Sequence, residues 1–411
     1  MNTKKSVRWS LLWGLVLFSL MLSACNNWGA AGQATGTAVS FAATETARPT
    51  NTPTATATST PTATPTVTPT ATPTPTPTPV HYGPTGFPDN VNPLTGLVVS
   101  DPELLNRRPM FIKVANFPRT GRPHAGLSYA DLVFEYYIGE GANRFAAVYY
   151  GQDCPQVGPM RSGRLVDAQL APMYQGVLAY VSAWDWVRTK LDQTMQWRGM
   201  LEGPNTCPAI CRLPPGDVTS VFADTAALEE AFAKRNVQIE DPVLDGMYFN
   251  EAVPTGGIPG EKLRVEFYVK NIGEWVYDPV SGKYLRWIET VDTVTGEVNG
   301  MIPLVDRLTD EQLAFSNVVL LFATYTTYSP TIHDMTILDN RDGMRAVLFR
   351  DGQAFEMVWK SVGFDKPIQF FTPAGEPMPF KPGNTWFVIM GRNSPYTETG
   401  PGQWQVQLSL R

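Results

Sequence analysis

The chain has 411 residues and a formal net charge of −6, a balance that offers nucleic acid no general attraction. Hydrophobic residues make up 43% of it and aromatic ones 11%, enough to build sizeable cores. Its three histidines stand in no metal-protease spacing, and neither a phosphate-binding loop nor a dinucleotide fingerprint occurs, so no metal or cofactor is expected.

Residues 1–25 read as a signal peptide. Lys4, Lys5 and Arg8 form a basic start, and the apolar run "WSLLWGLVLFSLM" is too short for a good transmembrane helix. The run ends in "LSAC", Leu22 to Cys25, which resembles the bacterial lipobox, in which the cysteine is acylated, with palmitate for example, and becomes the new N-terminus. Cys25 is therefore the expected lipidation site, and the protein is expected on the extracytoplasmic face of the cell membrane, held there by lipid.

Residues 26–85 form a second segment, nearly all Thr, Pro and Ala between Arg48 and Val80. Such a composition has too little apolar surface to offset the entropy of ordering. Proline at every second or third position favours extended polyproline II, and thirty such residues reach on the order of 90 Å. This is a disordered linker, a stalk that would carry the folded part away from the bilayer.

The rest divides at the Pro/Gly-rich stretch "EAVPTGGIPGEK", 251 to 262. In the expected first domain, 86–255, "RPMFIKVAN" is a buried strand and "DLVFEYYIGEGANRFAAVYYG" a hairpin turning at Gly-Glu-Gly. "CPQVGPMRS" reads as a short strand, "GRLVDAQLAPMYQG" as a helix with Pro172 near its end, and "VLAYVSAW" as a strand. "VRTKLDQTMQW" and "DTAALEEAFAKRN" follow as helices, the latter capped by Asp224. Beyond the boundary, in 256–411, alternating runs such as "LRVEFYVKN", "SNVVLLFATYTTY" and "NTWFVIMG" are strands, with "DPVSGK" and "RDGQ" as hairpin turns. The expected fold is α+β: a mixed α/β N-terminal domain followed by a smaller, β-rich C-terminal domain.

After Cys25 three cysteines remain. Outside the cytoplasm a disulfide is permitted. A local Cys207–Cys211 bridge in "CPAIC" is expected, with a bridge from Cys154 to one of them as the rival pairing.

The stretches "NPLTGL", "RRPMFIKVANFPRTGRPHAGLSYADLVFEYYIGEGANRFAAVYYG" and "VGPMRSGR" resemble the YerB-like lipoproteins, a bacterial two-domain family of unknown function. The later "DPVSGKYLRW", "AVLFRDGQAFEMVWK" and "KPGNTWFVIM" resemble that family's second domain in the same order. The resemblance covers nearly everything after the stalk and implies an envelope lipoprotein with no established reaction. This chain departs from it at 181 to 186, "VSAWDW", where family members often carry a histidine and glycines.

The family's polar positions correspond here to Asn116, Arg122, Asp131, Glu135, Glu140, Arg144, Arg161, Ser162 and Arg164, placed in turns and at strand ends. Glu135 and Glu140 as an acid–base pair would suit glycan hydrolysis; the plainer reading pairs each with an arginine to fix the hairpin, Glu140 with Arg144 most simply. Ser162 with His124 and Asp131 or Asp167 would suit a nucleophilic triad, yet "RSG" is no nucleophile elbow, and a helix N-cap explains Ser162 more simply. Arg161 and Arg164 lie three apart at a strand-to-helix junction, where amides and guanidinium forks together favour an anion. Two readings stand side by side. Either they hold an anionic ligand, or a carboxylate from Glu135, Glu140 or Asp131 makes them an internal brace, with Arg164 the more exposed and Arg161 the brace. Tyr136, Tyr137, Tyr180, Trp184 and Trp186 are core aromatics or a sugar-stacking wall. The expected function is binding of an anionic or glycan-containing envelope ligand, or of an envelope protein; the alternative is a hydrolase of glycan or peptide bonds.

Overall fold

The computed structural model describes residues 80–214, 216–235 and 241–411, all of them in one compact unit. The expected signal peptide, Cys25 and most of the stalk lie outside the described residues. None of the described helices is long and apolar enough to cross a membrane.

The mostly apolar runs become strands: β1 (Met110–Ala115), β2 (Leu132–Gly139) and β3 (Ala142–Tyr149). Between β2 and β3, Gly139, Glu140 and Gly141 all have positive φ, so the turn needs its flanking glycines. There follow α1 (Asp167–Met173), β4 (Val177–Tyr180), α2 (Asp185–Met195), β5 (Gly199–Leu201) and α3 (Thr225–Ala233). Asp224 caps α3 by accepting from the Ala227 amide at 3.0 Å. The later strands are β6 (Lys262–Tyr268), β7 (Asn271–Asp278), β8 (Lys283–Val291), β9 (Val298–Pro303), β10 (Asn317–Ser329), β11 (Met344–Arg350), β12 (Gln353–Lys360), β13 (Thr385–Gly391), β14 (Tyr396–Gly400) and β15 (Gln403–Gln407).

Two sheets dominate. The larger runs β12–β11–β10–β13–β2–β3–β1–β4–β5, with short strands at its margins. The smaller runs β9–β8–β7–β6–β15–β14. The α+β expectation holds in part: the described α-helices lie in the first half and the later elements are strands, but the fold is sheet-dominated, and its main sheet passes through both halves. The join is β13, which pairs in parallel with β10 on one side and β2 on the other, Phe387 standing opposite both Val319 and Phe134. The boundary stretch itself contributes Ile258 and Pro259, bridged to Ala354 and Gln353.

Each face of the main sheet buries its own core. On one face Phe111, Phe134 and Phe387 pack against Leu170, Met173 and Leu191 of α1 and α2. On the other, Phe145, Val318 and Trp386 pack against Val265, Trp275 and Ile288 of the smaller sheet, and Leu228 and Phe232 of α3 join them. The segment read as the strand "CPQVGPMRS" is instead an irregular run making single bridges, Val157 to Ala223 and Met160 to Val114. Cys207 and Cys211 form a disulfide, and Cys154 is free and buried.

Candidate functional site

A strand alternates its side chains, so register decides which polar groups share a face. Tyr136 stands opposite Arg144, Arg144 opposite Ala115, and Lys113 opposite Ala146. Lys113, Tyr136 and Arg144 therefore share the face covered by α1. The first residue of α1, Asp167, meets them there. Its Oδ1 accepts from Lys113 Nζ at 3.0 Å and from the Tyr136 hydroxyl at 2.5 Å, and its Oδ2 accepts from the Arg164 amide at 2.7 Å. Lys113 Nζ also donates to the Tyr136 hydroxyl. Lys113, Tyr136 and Asp167 are wholly buried.

The segment before α1 is wedged between β1 and β4, which run parallel from Met110 and Val177. The Arg161 amide donates to the Lys113 carbonyl at 2.9 Å, while the Val181 and Gly163 amides donate to Arg161 and Ser182 carbonyls at 3.1 and 2.8 Å. This wedge carries Arg161 and Arg164 to the rim above Lys113, beside Arg144. All three guanidiniums have a buried Nε without a partner, and among the described residues none forms an ion pair. Among the described residues the Arg144 guanidinium donates to the Phe117 and Asn143 carbonyls, and that of Arg164 to the Gly163 carbonyl.

Burial, then the charges of Arg164 and Arg161, bring the Arg144 guanidinium down to about 9. Burial lowers Lys113 to about 8 against the opposing pull of Asp167, and burial likewise raises Asp167. Lys113 and Arg164 thus share the Asp167 carboxylate, and Arg144 and Arg161 add their charges beside Arg164, at a place that Arg161, Ser162 and Arg164, all half-buried, connect to the surface.

On the opposite face lies a second polar network, of three arginines and two carboxylates. Glu135, fully buried, accepts from Arg286 Nη2 at 3.1 and 3.2 Å, from Trp386 Nε1 at 2.8 Å and from Asn143 Nδ2 at 2.5 Å. Asn143 in turn accepts from Asn116 at 2.7 Å, and Asn116 accepts from Arg122 Nε at 3.0 Å. Arg122 and Arg119 then share Oε1 of Glu289, at 3.0 and 2.9 Å. Arg286 crosses β7 at Gly273, where any Cβ would collide with its guanidinium, and lies over the rings of Trp275 and Trp386.

The residues singled out from the sequence are therefore divided between two places. Arg144, Arg161, Ser162 and Arg164 come together; Asn116, Arg122 and Glu135 belong to the other network. Glu140 lies exposed in its turn, apart from both. Four expectations are corrected. Neither glutamate braces the hairpin, because Glu135 is spent on Arg286, and the Asp131 carboxylate is spent on Asn92 and the amides of Tyr150 and Gly151. Arg161 is no brace, since its side chain makes no ion pair among the described residues, and Arg164 is not the freer of the two, because it lies nearer Asp167. Ser162 is not an N-cap; α1 starts only at Asp167, and the Ser162 hydroxyl pairs with that of Ser182 at 2.8 Å. His124 is fully buried against the Ala115 carbonyl at 2.6 Å and lowered to about 3, chiefly by burial, so no triad forms with Ser162.

Sequence reasoning missed Lys113, Arg286 and Glu289, and weighed Asp167 only as a triad partner. Lys113 left one signal: it is the sole charge in an otherwise apolar six-residue strand. The aromatics also separate. Tyr136 and Tyr180 are core, whereas Trp184 and Trp186 are exposed by 56% and 44%. Trp186 meets Tyr328, itself exposed, edge to face at 5.2 Å.

Together these features define a sheet-dominated protein whose main sheet has an ion-paired polar network on one face and, on the other, a cluster in which cations outnumber carboxylates. The chain belongs to the YerB-like family: residues 94–238 match the N-terminal domain and residues 263–387 the C-terminal domain of a protein of unknown function (DUF3048). It is 27% identical over 315 residues to "Putative lipoprotein YerB" of Bacillus subtilis (strain 168), an alignment that spans 72% of this chain and 85% of that protein. The crystal structure of the Bacillus subtilis YerB protein superposes with a TM-score of 0.57 at 24% identity, over 73% of this chain and 96% of that one, a likeness of fold.

Proposed function

We propose that this is a lipid-anchored envelope protein that binds an anionic glycan at the Arg144–Arg161–Arg164 cluster. The observation that carries the reading is the set of three guanidiniums at the rim, which form no ion pair among the described residues and have near them Asp167, already taken up by Lys113, and the exposed Asp217. Like charges do not gather without a counter-charge. A ligand carboxylate or phosphate at the rim would supply it. The glycan part rests on Trp184 and Trp186, which follow Ser182 within four residues and stand exposed with Tyr328 where a sugar face would stack. The hydrolase alternative gains no support from the carboxylates, since Glu135 is buried in an ion pair and Glu140 stands apart from the cluster.

The test uses two sugars that differ by a lactyl ether carrying one carboxylate. In calorimetric titration of the full chain in detergent, N-acetylmuramic acid is expected to bind and N-acetylglucosamine to bind at least about tenfold more weakly, the value of one charge-assisted contact. Equal affinity for the two sugars would reject the anion site. Binding should also weaken as pH rises through about 8, because Lys113 then loses the charge that supports the anion.

The anchoring part concerns a residue outside the described ones. Its support is the lipobox-like "LSAC" and the lipoprotein name of the Bacillus subtilis relative. Cys25→Ser is expected to release the protein from the membrane fraction or to leave it unprocessed, read by fractionation and the mass of the N-terminal peptide. Unchanged processing and retention would remove lipidation from the account.

A further inference from the structure

Trp184 and Trp186 stand just before and within the first turn of α2, but Tyr328, which meets Trp186, comes from β10, far along the chain. At that point β10 has left the main sheet. Its pairing with β11 ends at Leu321 and that with β13 at Ala323. From Thr324 onward it pairs only with the short strand Ile332–Thr336. A two-stranded ribbon is marginally stable by itself, so the place of Tyr328 depends on what holds the ribbon. It leans on β2 through the His333 ring, which meets that of Tyr137 at 5.1 Å, and on β13 through the Tyr325 hydroxyl, which donates to the Ile389 carbonyl at 2.8 Å. Toward α1 a single side chain makes the hydrogen bonds.

That side chain is Gln169. Its Nε2 donates to Asp334 Oδ1 at 3.1 Å and to the Met335 carbonyl at 2.8 Å. Its Oε1 accepts from the amides of Ile337 and Leu338 at 3.0 and 3.1 Å. A carboxamide has two N–H donors and an oxygen with two lone pairs, so its whole capacity goes to the ribbon and the residues that follow it. Asp334 stands opposite Thr326, next but one to Tyr328. Burial raises Asp334 to about 6, and the charge of Asp167 adds to the rise, which sets this end of the ribbon near the cationic cluster. The same helix thus gives Asp167 to the cluster and Gln169 to the ribbon. We infer that Gln169 is the positioning residue of the sugar subsite: it fastens the ribbon to α1, so that Tyr328 stands against Trp186 and the stacking wall is held in place before a sugar arrives. The role in sugar binding rests on the anionic-glycan reading above.

The test compares N-acetylmuramic acid with D-lactate, which keeps the carboxylate and lacks the ring, by calorimetric titration of the full chain in detergent. Gln169→Met has a side chain of similar length and makes none of the four bonds. It is expected to weaken N-acetylmuramic acid about fivefold, as the loss of one stacked ring would, and to leave the affinity for D-lactate unchanged. Tyr328→Ala, at an exposed residue, should give the same loss. The double variant should lose no more than Tyr328→Ala alone, because both changes remove one contact. Should Gln169→Met not fold, Gln169→Asn, one carbon shorter and unable to reach all four partners, carries the same comparison. Unchanged affinity for N-acetylmuramic acid, parallel losses for sugar and lactate, or losses that add in the double variant would each overturn the inference. If the unaltered protein binds neither compound, the anionic-glycan reading fails, and fluorine NMR of the 5-fluorotryptophan-labelled chain decides the positioning by itself. The Trp186 resonance, assigned through Trp186→Phe, is expected to move in Gln169→Met to where Tyr328→Ala puts it. A resonance that stays in place would overturn the inference.

Discussion

Replacing Arg161 by alanine is expected to leave the stability of the full chain within about 0.5 kcal/mol of its starting value, while N-acetylmuramic acid binding weakens about tenfold or more. The reason lies in what the side chain lacks. Arg161 has no ion pair among the described residues, and after burial the charges that act on it are the cation Arg212 and then the exposed Asp217, whose carboxylate bonds Thr219. Removing it deletes repulsion and strands no carboxylate. Arg161→Lys should keep stability as well but still lose affinity, since the charge remains and the planar fork does not. A brace behaves in the opposite way: its removal would lower the melting midpoint by several degrees and leave ligand binding to the surviving molecules intact. Thermal melts and titrations on the same two variants decide between the two. A marked loss of stability with unchanged affinity would end the ligand reading at this residue.

How far the sequence showed this site depends on which forces made it. The hairpin of β2 and β3 is a local matter of alternation and a Gly-Glu-Gly turn, and it was legible. So was the helix capped by Asp224, since its side chain bonds three residues along the same chain. The proximity of Arg161 and Arg164 was legible for the same reason, being a spacing. What they face was not. Their carboxylate was sought in Glu135, yet one-residue alternation sends Glu135 and Arg144 to opposite faces of the sheet, and a strand's inward face cannot be named until its neighbours are known. The neighbour that settles it, β13, comes from about 250 residues further on and pairs through long-range register that leaves no local mark. Lys113 was hidden because a buried lysine is rare, so an apolar run containing one reads as core. The single main sheet was hidden for a related reason: a Pro/Gly-rich stretch signals a break in the chain, not a break in the sheet.

Glu135 is where the largest loss of stability is expected. Its carboxylate joins β2 in the first half to Arg286 on β8 and Trp386 on β13 in the second, and it is fully buried. Desolvation raises its pKa, while Arg286 and then the Trp386 N–H oppose that shift. Taking two charges out of water costs about as much as their attraction returns, so the intact pair contributes little net stability. Breaking it is another matter. Glu135→Ala would leave Arg286 buried between two indoles, with its Nε and Nη1 already unpartnered and Nη2 newly so, and would orphan the Trp386 N–H. The expected cost is about 3–5 kcal/mol, read as a shift of the urea midpoint at unchanged slope. Glu135→Leu combined with Arg286→Met should recover most of it, because an apolar pair of similar volume removes both charges together. If the single variant costs less than about 1 kcal/mol, or the double variant is no better than the single, the ion pair is not what locks the two halves into one sheet. The expected pattern, a costly single and a tolerated double, would instead mark this face as structural. That would leave the cluster around Arg144, Arg161 and Arg164, where cations outnumber carboxylates, as the face on which ligand chemistry is to be sought.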